Sequence, residues 1–100
     1  MLPLTLRQLR ESIDRDVVRD ITLRPTTRGF YIEIRLIGDA VYTLIKANIA
    51  RDGSRPRMFP DPKTALRLMH EQGASAARVE LKGWTPAPRR APQKSKRTEK

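Results

Sequence analysis

The chain has 100 residues, 38% of them hydrophobic, which makes one small domain the default. It carries 21 lysines and arginines against 11 aspartates and glutamates, a formal +10, and no cysteine, which excludes disulfides and thiolate chemistry. No apolar run approaches the roughly 20 residues of a membrane-spanning helix, and charge interrupts the first ten residues too early for a signal peptide.

The chain opens on a capping box, Thr5-Leu6-Arg7-Gln8. The Thr5 hydroxyl can accept from the Gln8 N–H while the Gln8 side chain reaches back. Leu4 and Leu9 stand where a hydrophobic staple would hold them, and Leu6, Leu9, Ile13 and Val17 recur at helical spacing. The pattern predicts a helix over 6–19 whose other face, Arg7, Arg10, Glu11, Asp14 and Arg15, is a solvated mixture of charges. Ile21-Thr22-Leu23-Arg24 alternates up to Pro25 and reads as a short edge strand.

FYIEIRLIGDAVYTLIKA, residues 30–47, reads as a β-hairpin. Gly38-Asp39 suits a two-residue type II′ turn. That turn sets Arg35 opposite Tyr42, Glu33 opposite Leu44 and Tyr31 opposite Lys46. Phe30, Ile32, Ile34, Leu36, Val41, Thr43, Ile45 and Ala47 then share a core face. The second face gathers Tyr31, Arg35, Tyr42 and Lys46 beside Glu33, Ile37 and Leu44. Cross-strand neighbours lie ~5 Å apart, so the two tyrosines and two cations form one patch. Arginine contacts phosphate or guanine edges, lysine phosphate, and tyrosine a phosphate or a base face. Three readings stand for this face: contact with nucleic acid, cover by the first helix or by a partner subunit through Ile37 and Leu44, or a plain solvated surface.

Residues 48–57 form a polar loop with Arg51, Arg55 and Arg57 as a second basic cluster, and Arg57-Met58-Phe59 is a candidate third hairpin strand. Asp61-Pro62 starts a second helix as N-cap and first helical residue. Ala65, Leu66, Leu68 and Met69 supply its stripe and Gly73 its end. Residues 78–82 alternate as a last strand before Trp84. The expected architecture is α+β: N-terminal helix, antiparallel hairpin or meander, second helix and final strand, as a single domain over 1–84. Residues 85–100, TPAPRRAPQKSKRTEK, lack the apolar content to fold and are expected to be a disordered basic tail. Six basic residues there against Glu99 give +5, which leaves +5 for residues 1–84. Arg89, Arg90, Lys94, Lys96 and Arg97 are its candidate phosphate contacts.

Catalysis finds little support. The single histidine, His70, stands near a helix end where the dipole alone favours it. No metal-ligand spacing, paired acids or phosphate-binding glycine loop is evident, so neither cofactor nor metal is expected.

Phe59-Pro60-Asp61-Pro62-Lys63-Thr64-Ala65-Leu66-Arg67-Leu68-Met69 through Gly73, then Val79-Glu80-Leu81-Lys82-Gly83-Trp84, resembles the ParC-family partition-associated proteins of plasmids and integrative elements in proteobacteria. The resemblance spans roughly residues 30–84. It implies a DNA-maintenance role in a bacterial cytoplasm, on plasmid or nucleoid, and transfers no binding residues. At the level of fold alone, the hairpin-then-helix order is similar to the three-strand-plus-helix DNA-binding domains of integrase arms and plant ethylene-response factors, whose sheet enters the major groove. Duplex DNA is therefore the expected partner. A protein-interaction module and an RNA-binding protein are the alternatives.

Overall fold

The computed structural model describes residues 1–51 and 53–84. The expected basic tail, 85–100, lies outside the described residues. The fold is α+β: two helices and a five-stranded mixed sheet in the order β1-β4-β3-β2-β5. The strands are β1 (Leu2–Leu4), β2 (Val18–Thr26), β3 (Gly29–Leu36), β4 (Val41–Leu44) and β5 (Arg78–Val79), with α1 (Leu6–Asp14) and α2 (Pro62–Glu71). Among the described residues no helix is long and apolar enough to cross a membrane.

The capping box forms as read: the Gln8 N–H donates to the Thr5 hydroxyl at 3.1 Å, and the Gln8 side chain accepts from the Thr5 N–H at 2.9 Å. Leu4 and Leu9 are both buried, as a staple requires. The helix ends earlier than its spacing predicts, at Asp14 instead of 19. Asp16 takes a left-handed backbone with φ 59. Its N–H donates to the Ile13 carbonyl, and the Val17 N–H donates to the Ser12 carbonyl. That pair of bonds is a Schellman cap, with aspartate where glycine is usual. Asp61 caps α2 by accepting from the Lys63 N–H, and Gly73 ends it at φ 97, both as the sequence indicated.

Leu2–Leu4, to which the sequence pattern assigned no element, is an edge strand parallel to β4. The predicted short edge strand at Ile21 is instead the nine-residue β2, paired with β3 along its length. Pro25 is tolerated inside it. Phe30, its partner, exchanges both backbone bonds with Phe59 on its other side. The missing Pro25 N–H therefore points toward β5, which ends before reaching it. The last strand is two residues long, shorter than the predicted 78–82. Residues 57–59 form no extended strand. The Arg57 N–H donates to the Leu44 carbonyl, while Phe59 bridges Phe30, filling the gap where β4 leaves β3.

The hairpin register differs from the prediction by one residue. Glu33 pairs with Thr43, Ile34 with Tyr42 and Arg35 with Val41. The turn is the cause. The Asp39 N–H donates to the Leu36 carbonyl and the Leu36 N–H donates to the Ala40 carbonyl, leaving a three-residue connection. Gly38, at φ 89, takes the third turn position, and Asp39 follows at φ 66. One extra residue in the turn moves every β4 side chain to the other face.

Both helices pack on one side of the sheet. Leu9 of α1 and Ala65 and Met69 of α2 share a core with Ile21, Leu23, Phe30, Ile32, Ile34 and Leu44, with Trp84 against its margin.

Candidate nucleic-acid interface

The register dissolves the expected patch. Tyr42 turns to the core side, half-buried and packed against the core that both helices cover. Leu44 is fully buried in the core and cannot meet a partner. Lys46 lies beyond the end of β4 and is exposed. Ile37 is exposed on the hairpin turn, 59% accessible. Of the four patch residues only Tyr31 and Arg35 share a face. Two tyrosines on opposite sides of a sheet give no stacking platform for unpaired bases.

The side of the sheet that the helices leave uncovered is defined by strand parity. It holds Val41 and Thr43 of β4, Tyr31, Glu33 and Arg35 of β3, Asp20, Thr22 and Arg24 of β2, and Arg78 with Glu80 at β5. Arg24 is clamped there. Its Nε and Nη2 donate to the two Glu33 oxygens at 2.8 and 3.1 Å, and its Nη1 donates to Glu80 at 2.9 Å. The Glu33 bond holds the guanidinium pKa above its usual value, with Glu80 adding to it against slight desolvation. This clamp joins β2, β3 and the residue that follows β5. Sequence reading missed it because Arg24 and Glu80 are 56 positions apart. Arg35 stands opposite Asp20 and within 3.9 Å of Asp39. Three arginines against three carboxylates leave the face neutral.

The positive charge lies at one end of the sheet. β1, β2, β4 and β5 all finish at the end where β3 begins. Arg28, Lys46, Arg51, Arg55, Arg57, Lys63 and Lys82 cluster in the connections there, with Asp61 capping α2 and Asp52 in the loop sequence. Arg51 and Arg55 are exposed around a turn closed by the Ser54 N–H and the Arg51 carbonyl. Arg57 lies over the Phe59 ring, 5.1 Å from its centroid. Both helices start at this end, which adds the positive ends of their dipoles. The Trp84 ring packs at a tilt against Phe30 with centroids 5.7 Å apart, at this same end, and in the sequence the basic residues 85–100 follow it. The opposite end carries Asp14, Asp16, Asp20, Asp39 and Glu71 among Arg15, Arg19 and Arg78.

His70 is exposed at the end of α2, and among the described residues no group of three acids or histidines could hold a metal. The chain matches no family model, no curated protein and no solved structure.

Proposed function

We propose that this chain is a small non-catalytic protein that binds duplex DNA through its basic end, gripping backbone phosphates with little regard to sequence. The supporting observation is the separation of charge: the loop cations and both helix N-termini meet at one end of the sheet, beside the origin of a segment that adds +5. Arg51, Arg55 and Arg57, with Arg28, Lys46 and Lys63, supply the contacts on the folded part. Arg89, Arg90, Lys94, Lys96 and Arg97 extend them. The neutral sheet face contributes little, since Arg24 is already held by two glutamates. The resemblance of roughly residues 30–84 to ParC-family proteins is what suggests a role for that binding in plasmid or mobile-element maintenance.

Titration of two unrelated duplexes at low and moderate salt tests the reading. If five of these cations reach phosphates, log K falls against log salt with a slope of about −4.5 for both sequences. Absence of binding at low salt, or affinity indifferent to salt, refutes it. Loss of a test plasmid from cells lacking the protein, restored by the intact chain, tests the maintenance role.

A further inference from the structure

We infer that the uncovered sheet face is a docking surface for a second copy of this chain, joined face to face about a two-fold axis. The inference is independent of the DNA reading. A chain of net +10 repels its own copies, and a surface suited to self-association must carry balanced charge. This face does: Arg24, Arg35 and Arg78 offset Asp20, Glu33 and Glu80.

The signs also alternate in a self-complementary way. Let the axis run along the strands between β2 and β3. Each β3 residue then faces the β2 residue of its own row on the second copy, and β4 faces β5. Arg35 meets Asp20 of the second copy, and Tyr31 meets its Arg24. No like charges are opposed. Thr43 and Thr22 are buried beneath these side chains, 4% and 6% accessible, and take no part in the contact.

The size is adequate for a weak dimer. Five strands at about 4.8 Å and five residues of β3 span about 24 by 17 Å, or roughly 400 Å² in projection. Contoured by side chains, that area approaches the smallest specific interfaces, which bury about 600 Å² per partner. Association is therefore concentration-dependent.

Sedimentation equilibrium of the full chain, free of nucleic acid, decides the matter. At about 0.3 M salt the Debye length is about 6 Å, and the repulsion between basic ends is screened. The mass then rises with concentration from 11.5 kDa toward twice that value. Asp20→Arg and Arg35→Asp each weaken association at least about tenfold, the effect of a like-charge clash of roughly 1.4 kcal/mol. The double variant Asp20→Arg/Arg35→Asp restores it. Ile37→Arg, on the exposed hairpin turn, leaves it unchanged. Far-UV circular dichroism and thermal unfolding of dilute samples report the fold of each variant. Amide shifts that move on concentrating the wild type map to residues 20–24, 31–35, 41–43 and 78–80. A mass fixed at 11.5 kDa overturns the inference, as does association broken by Ile37→Arg and not by Asp20→Arg, or amide shifts confined to other residues.

Discussion

Asp16 ends α1 in a left-handed backbone, φ 59, that costs a residue with a Cβ about 1 kcal/mol more than glycine. Asp16→Gly removes that cost without touching the core. It is expected to raise the thermal midpoint by roughly 4–8 °C, read by circular dichroism. The opposite holds at Gly29. Its φ is 121, and a Cβ there would lie 2.5 Å from the Phe59 carbonyl oxygen, which accepts from the Phe30 N–H while the Phe59 N–H donates to the Phe30 carbonyl. The backbone of Phe59 cannot retreat without losing that bridge. Gly29→Ala should therefore destabilise by more than about 2 kcal/mol, measured by urea unfolding. Arg24 is the third residue whose surroundings fix its role. Arg24→Ala leaves the Glu33 carboxylate, 14% accessible, without a counter-charge. Because Arg24 itself is 36% accessible, the loss is screened and amounts to about 1–2 kcal/mol. Arg24→Ala/Glu33→Ala should recover part of it, since only the more exposed Glu80 carboxylate is then left without its partner.

At the scale of elements, what could be read from sequence was whatever local chemistry settles. Thr5 with Gln8, Asp61 before Pro62, and Gly73 each satisfy orphan backbone groups a few residues away, so the helix starts and the second helix end follow directly. Phe30, Ile32, Ile34 and Leu36 belong to one strand, and their alternation needs no partner to be recognised. The relation between strands was harder. GD admits both a two-residue turn and the three-residue turn that occurs. A one-residue difference exchanges Tyr42 and Leu44 with Val41 and Thr43 across the sheet. The alternation of β4 itself, VYTLI, is apolar on both parities and could not arbitrate. The cap at Asp16 was equally hidden, since aspartate rarely takes that backbone. Strand β1 escaped notice because three residues show no periodicity, and its pairing is with a segment about 40 positions away. Pro3 lies at the middle of this free edge, where it helps discourage pairing with other chains.

For the whole molecule, the consequence of the corrected register is a division of labour. The side of the sheet that carries Tyr31 and Arg35 is neutral and self-complementary in charge. The cations instead project from one end, where strand termini, helix N-termini and Trp84 converge. The loop arginines were visible in the sequence as a cluster. Their convergence with Arg28, Lys63 and Lys82 depends on strand order, which no local pattern encodes. The two surfaces respond oppositely to salt. Added salt weakens phosphate contacts, while it screens the repulsion between two +10 chains and favours their association. The most direct test of the account is a titration of a duplex short enough for one copy. It compares the wild type, Arg51→Ala/Arg55→Ala/Arg57→Ala, and Tyr31→Ala/Arg35→Ala across a range of salt. The account predicts that the loop variant loses at least about tenfold in affinity and that its salt slope falls by about three units, while the sheet variant changes less than about twofold. A sheet variant that loses affinity while the loop variant keeps it would contradict the account.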